Sequence, residues 1–345
     1  MAGFRLTKSS NSIVGLELDA GEARAVEIQK GSKNPTLTAW GRVALPPGAV
    51  SEGNVQNVDA VSDALRQLWV TSGISSDRVV LGIANQGVIV RTATFPRVPD
   101  NKMAQVIRHQ AQDFVPMPLA SAVLDYAIID EGLNEGSPGV EVLLVAARKE
   151  MINNYIQSLS KAKLKAQDIN VSPIALLRVL PPAKKSGAIA IVNLSNAFSS
   201  IIVSVNGIPR LVRLIPVGLE EVAQQINCSL DNVVSASYEA SPDNDLGSAF
   251  AGWGSGLAAE IRASLTYFQG QKDAVPINEV ILSGRGARIE GISAQIEETL
   301  GIPTTIVSPL TGISIAGRAE KGMAENAPDF AVSIALAQWG TEVKI

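Results

Sequence analysis

The chain has 345 residues, a net charge of −4, one histidine (His109) and one cysteine (Cys228), with 46% apolar, 18% charged and 4% aromatic residues. At roughly 150 residues per domain this is about two domains, and the Val, Ile, Leu and Ala that make up most of the apolar content suit the buried strands and helices of an α/β protein. The acidic balance argues against sequence-independent nucleic-acid binding, and one Cys with one His excludes a disulfide framework, a zinc finger and a Cys/His protease pair.

The chain opens as strand, turn, strand, turn, strand over Ser12–Leu18, Ala23–Gln29 and Thr36–Val43, with turns at Asp19–Glu22 and Lys30–Pro35. Asn57 caps a helix in which Val58, Val61, Leu65, Leu68 and Trp69 follow helical spacing. Val79–Ala84 and Gly87–Phe95 read as strands. Met103, Val106, Ile107, Gln110, Ala111 and Phe114 line one helix face, ended by Pro116 and Pro118. Strands are expected at Ser121–Ile129 and Val140–Ala147, a helix through Met151, Tyr155 and Leu159, a strand at Ala166–Val171 and a short helix at Pro173–Leu180. Pro181–Gly187 reads as the main linker.

The opening pattern then returns. Ala188–Asn193, Ser199–Val205 and Ile208–Leu214 are strands, with Asn206-Gly207 a strong hairpin signal because both residues tolerate φ > 0. Glu220–Ile226 is helical, Asp231–Ser255 reads as a polar, Gly-rich stretch, and Leu257, Ile261, Leu265 and Phe268 mark a helix. Glu279–Leu282 is a strand leading into Ser283-Gly284-Arg285-Gly286. A helix through Ile292, Ile296 and Leu300 stops at Gly301, Pro303–Val307 is a strand, and Ala327–Trp339 is a final apolar helix. No run of about 18 apolar residues occurs, so no membrane span is expected. The basic N-terminus lacks the apolar region of a signal peptide.

Ile13–Gly21 set beside Ala190–Ala197 places Glu17 on Asn193, about half the chain length later. Two related halves facing each other form a cleft, a common place for ligands. A turn after the first strand of each half would aim backbone N–H groups at a phosphate. That geometry wants glycine at the turn and an acid to hold Mg²⁺ through water. His109, between Arg108 and Gln110, reads as a solvated helix residue, and Cys228 as packing.

Seven segments then carry a resemblance by their order and spacing: Val14–Leu18, Gln112–Leu119, Leu124–Tyr126, Val142–Glu150, Ile215–Gly218, Glu260–Leu265 and Leu282–Gly291. The chain resembles the type IV pilus assembly protein PilM family, which is actin-like and related to FtsA. The resemblance implies an α/β actin-like (ASKHA) fold: two related domains with mixed five-stranded sheets around an interdomain cleft, plus an insertion subdomain. The expected first subdomain is 1–80, completed by 150–183 and the C-terminal helix 327–340, with the insertion at 81–149. The second core is expected at 187–217 and 277–326, and a small second-domain subdomain at 218–276.

It also implies a cytoplasmic scaffold, peripheral at the inner face of the cytoplasmic membrane through its partner. That partner is the N-terminal cytoplasmic segment of a PilN-like membrane protein, held in a groove between the first subdomain and the insertion. Pilus ATPases, other pilus proteins and a second copy of the chain are further expected partners; nucleic acid is not. Phe95, Val98, Met103 and Ile107 are the groove candidates, although each taken singly reads as ordinary core.

The cofactor implied is ATP with Mg²⁺ in the cleft, with Glu17, Asp19, Gly21, Arg24, Asn193, Ser195, Gly284, Arg285 and Gly286 as candidate contacts. The chain departs from the family here. The first turn usually reads Asp-Ile-Gly with small hydroxyl residues after it; here it is Glu17-Leu18-Asp19, then Ala20-Gly21-Glu22. The family's lysine position holds Arg24. The second Asp-Ile-Gly is Asn193-Leu194-Ser195, so the metal-facing acid is neutral. Asp19 and Glu22 would put negative charge where a polyphosphate sits, and like charges 4 Å apart repel by about 1–4 kcal/mol. Ser283–Gly286 keeps the form that packs against adenosine, with Arg285 in place of a usual glycine. Efficient hydrolysis is therefore expected to be lost, with no catalytic residue and no metal ligand assigned. Two competing classes are an FtsA-like nucleotide-dependent filament former, which carries a basic amphipathic C-terminal helix unlike the ending at Trp339–Ile345, and an ASKHA-type kinase, which needs an acidic base and intact phosphate turns.

Overall fold

The computed structural model describes residues 11–31, 34–130, 139–235, 245–271 and 274–340. β1 (Ser12–Asp19), β2 (Glu22–Gln29) and β3 (Thr36–Ala44) form an antiparallel meander. A two-residue pair follows, β4 (Val50–Ser51) with β5 (Asn54–Val55). α1 (Val58–Ser72) starts where the Asn57 side chain accepts from the Ala60 N–H and ends at left-handed Gly73, as the capping signals require. β6 (Arg78–Ile83) lies parallel to β1.

The chain then leaves the first sheet through β7 (Val88–Phe95), α2 (Asp100–Gln110), β8 (Ala122–Asp130) and β9 (Val140–Arg148), a three-stranded sheet in the order β7-β9-β8. It returns by α3 (Lys149–Lys161) to β10 (Lys165–Val171), parallel to β6, and α4 (Ser172–Ala175). The insertion begins after Ile83 rather than at residue 81, because Leu81 and Gly82 pair with Leu16 and Glu17 in the first sheet.

The second half repeats the first. β11 (Ala188–Asn193), β12 (Ser199–Val205) and β13 (Ile208–Ile215) form the second meander, with Asn206 and Gly207 both at positive φ in the β12–β13 turn. α5 (Leu219–Gln225), α6 (Leu230–Ser235) and α7 (Asp245–Gln269) precede β14 (Ile277–Ser283), which lies parallel to β11. Then come α8 (Ile292–Leu300), β15 (Thr304–Ile306), β16 (Ser314–Ile315), α9 (Gly317–Glu320), α10 (Met323–Asn326) and α11 (Ala331–Ala337).

The first sheet runs β10-β6-β1-β2-β3-β16 and the second β13-β12-β11-β14-β15. Apart from β16 the two match strand for strand, a meander followed by two parallel strands. β16 makes the first sheet six-stranded, because Ser314 N and Ala316 N donate to Pro35 O and Leu37 O at the β3 edge.

Two further differences from the sequence reading have clear causes. The stretch Asp231–Ser255 contains α6 and the first turns of α7; residues 236–244 lie outside the described residues. Buried Phe250 and Trp253 continue into Leu257, Ile261 and Leu265 on one helix face, while Gly252 and Gly256 fall on the open side. The expected small subdomain at 218–276 is, in its described helices, a layer sharing one apolar core with the second sheet: Phe250, Leu257 and Ile261 pack with Ile201 and Val203.

α11 is buried all round, from Ala331 to Ala337, which is why its sequence lacks a polar face. It belongs to a core that also takes Val26 and Ile28 from the first sheet and Ile189, Ile191 and Ile202 from the second. Gly15 and Gly82 let it approach: a Cβ on Gly15 would lie 1.9 Å from the Ser333 carbonyl oxygen, and one on Gly82 2.7 Å from Leu336 Cδ1. Among the described residues, no helix is long and apolar enough to cross a membrane.

Candidate functional site

The two halves meet at their first turns. Hairpin register sets Glu17 opposite Arg24 and Asp19 opposite Glu22, so these side chains converge as cross-strand pairs. Arg24 is 1% exposed. Its Nε donates to Glu17 Oε2 at 3.2 Å, Nη2 to Asp19 Oδ2 at 3.0 Å and Nη1 to Glu22 Oε1 at 3.3 Å. One guanidinium fork is thus shared among three buried carboxylates, which is chemistry that suits Arg and not Lys.

From the second half, the Asn196 backbone N–H donates to Asp19 Oδ2 at 3.0 Å and its Nδ2 to Ala20 O at 2.9 Å. Arg285 Nη1 reaches Glu22 Oε2 at 3.3 Å, and its Nη2 pairs with Asp231. Asp329, on the turn leading into α11, takes Arg42 at 3.4 Å and Arg288 at 3.1 Å. Beside this cluster Asn193 Nδ2 donates to Ser195 Oγ at 2.6 Å, and Ser283 Oγ donates to Asn193 Oδ1 at 3.0 Å. The free space between the two turns is about 30 Å³, lined by Glu17, Asp19, Gly82, Asn193, Ser195 and Ser200 among others.

The structure therefore brings together Glu17, Asp19 and Arg24, joins Arg285 to them through Glu22, and sets Asn193 beside Ser195. Gly284 and Gly286 serve packing: at φ +82°, a Cβ on Gly284 would lie 2.6 Å from Leu194 O, and Gly286 N donates to the same oxygen at 3.0 Å. Gly21 stands apart at the hairpin tip, with open space where a Cβ would go. Three of the four groove candidates are corrected. Phe95, Met103 and Ile107 are buried with Val140, Val142 and Leu144 in the core of the insertion, and Val98 is half-buried against it. The apolar spacing of the three buried residues reports that core. Sequence reasoning missed Asn196, Arg42, Asp231, Arg288 and Asp329. Of the cluster, only the hairpin partners carry a local signal. His109 is exposed and Cys228 half-buried, and neither bonds to the cleft network.

The electrostatics follow from burial. Burial pushes the Glu17 carboxyl up to about 7, with Asp19 and Glu22 adding to the rise and Arg24 opposing it. For Arg24, burial works against the charge, but Glu17, Asp19, Glu22 and Asp329 outweigh it and hold the guanidinium protonated. The Glu17 shift has a sign. Below the ordinary carboxyl pKa both folded and unfolded chains carry the proton. Between that value and about 7 only the folded chain keeps it, so stability falls as pH rises through this window and is level above it. Glu17→Gln, which mimics the neutral acid, is expected to be more stable than the native chain by up to about 3 kcal/mol at pH 8, with most of the gain gone near pH 5. Urea denaturation at the two pH values checks this.

Residues 15–340 match the family described as type IV pilus assembly protein PilM. Among solved structures, a PilM–PilN type IV pilus biogenesis complex is similar at 26% identity and a TM-score of 0.84, over 96% of this chain and 99% of that one. The ethanolamine utilization protein EutJ from Carboxydothermus hydrogenoformans is similar at 12% identity and TM-score 0.55, covering 95% and 90%. MreB5 of Spiroplasma citri bound to ADP is similar at 9% and 0.52, covering 97% of each chain. The last two share the fold alone, and that fold, with its two matching sheets about one cleft, is actin-like. A family match over nearly the whole length, on this duplicated architecture, makes the chain a member of the type IV pilus assembly protein PilM family.

Proposed function

We propose that the chain is a scaffold of type IV pilus assembly. It sits at the cytoplasmic face of the inner membrane by holding the N-terminal cytoplasmic segment of a PilN-like protein, and its cleft has lost ATP hydrolysis. The observation that carries the reading is the likeness to a PilM–PilN complex over 96% of this chain.

A groove of about 460 Å³ between the insertion and the first sheet supports a peptide ligand. It is lined by Val123, Leu124, Val145, Ile152 and Ile169 among others. β8 and β10, which flank it, are end strands of their sheets, and an exposed strand edge accepts an extended peptide by backbone pairing. Asp125 and Asp168 also line it, so a basic segment is the better fit.

The residues of the interdomain cleft do not fit Mg-ATP. By the family resemblance Asp19 and Glu22 fall at the phosphate turn and Asn193 at the position of the metal-facing acid, and Arg24 is fully engaged by carboxylates. The free space of about 30 Å³ compares with roughly 300–1,000 Å³ for ordinary ligand pockets. No phosphoryl transfer is assigned to it.

Calorimetric titration of the full chain with the N-terminal cytoplasmic segment of a PilN-like protein from the same genome tests the scaffold reading. Saturable binding is expected, weakened about tenfold or more, or at least 1.4 kcal/mol, by Val123→Lys in the groove. Val123 is 43% exposed, so this change leaves the core intact. Absence of binding at millimolar peptide would overturn the reading.

A further inference from the structure

We propose that the buried ion-pair cluster is a built-in clasp: side chains of this protein, rather than a bound nucleotide, hold the two domains closed at the turns. The inference rests on the reading of the cleft as unable to accept Mg-ATP, and goes beyond it by assigning the replacement a role.

The contacts that cross between the halves carry it. Asn196, with 0% exposure, donates both its backbone N–H and its Nδ2 to the first hairpin, at Asp19 and Ala20. Arg285, 4% exposed, crosses to Glu22. Asp329 is shared by Arg42 on β3 and Arg288 of the second half. Arg24 adds no crossing of its own, but it fixes Asp19 and Glu22, the two acids that make the crossings. At its base the interface is apolar, where α11 packs between both sheets.

Apolar contact alone tolerates sliding, whereas buried, hydrogen-bonded charges accept few geometries. They are therefore suited to fixing one relation between the domains. Here the first turns of the two halves bond to one another. Closure of this chain consequently needs no ligand.

The test measures domain separation in the full chain by pulsed electron spin resonance. Cys228→Ser removes the native thiol, and Gln67→Cys on α1 with Glu298→Cys on α8, both exposed positions, carry the labels. The clasp predicts one narrow distance distribution, unchanged by millimolar Mg-ATP. Adding Asn196→Ala with Arg285→Met, which leaves Arg24 and its carboxylates in place, is expected at least to double the width of that distribution. Asn196→Ala alone, which removes the Nδ2 bond to Ala20 O and keeps the backbone bond to Asp19, is the milder variant should the double change fail to fold. A native distribution that is already broad, or an unchanged width in the clasp variants, would overturn the proposal. Calorimetry with Mg-ATP on the same protein separates the two ideas. Binding of Mg-ATP with a narrow ligand-free distribution sinks the closed-cleft reading and leaves the clasp; no binding with a broad distribution does the reverse.

Discussion

Arg24→Met is expected to destabilise the folded chain by about 3–5 kcal/mol, the range for breaking one side of a buried charge cluster. Methionine keeps the length and apolar stem of the side chain, so little packing is lost. What remains is three carboxylates, Glu17, Asp19 and Glu22, each about 8% exposed or less, with their common counter-charge gone. Arg285 and Arg42 still reach Glu22, but neither is paired with Glu17 or Asp19. Part of the deficit would be relieved by proton uptake, so the loss should be largest at high pH and shrink toward pH 5. Arg24→Lys restores the charge but not the fork that serves three acceptors, and should fall between the two. Equilibrium urea unfolding reads all three proteins. A loss under about 1 kcal/mol for Arg24→Met, the scale of an exposed ion pair, would show that the cluster is not buried as described.

Gly15→Ala is the second large effect, from shape rather than charge. Its Cβ would sit 1.9 Å from Ser333 O and 2.6 Å from Ala337 N, and both atoms are backbone of α11, so no side chain can rotate away. Either α11 moves off β1 or the strand buckles. α11 carries Val332, Ile334 and Leu336 into the core shared by both sheets, so displacement loosens that core too. The loss is expected at or above the top of the overpacking range, about 3 kcal/mol. Gly21→Ala is the useful contrast. It has open space around its Cβ but a φ of +69°, so only the left-handed backbone penalty of about 1–2 kcal/mol applies. Thermal unfolding of the pair should show Gly15→Ala clearly the worse. Equal losses would contradict the close approach of α11 to β1.

The duplicated fold was legible because its signals are local. The apolar runs of β1 and β11, the Asn57 cap and Asn206-Gly207 each specify their structure within a few residues. The start of α7 was hidden because Gly252, Gly256 and neighbouring serines mask a helix whose stability comes from Phe250 and Trp253 packing on a distant sheet. The same distinction divides the cleft. Glu17 with Arg24 and Asp19 with Glu22 follow from hairpin register. Asn196, Arg285 and Asp329 arrive from parts of the chain far away in sequence, and no spacing rule announces them. The groove candidates Phe95, Met103 and Ile107 went astray for a related reason. Apolar periodicity says that a face is covered, not whether the cover is the chain itself or a partner.

The central claim, that this cleft does not accept Mg-ATP, is tested most directly by calorimetric titration of Mg-ATP into the full chain. The closed cleft predicts no saturable heat up to millimolar nucleotide. A dissociation constant in the micromolar range or tighter would contradict it.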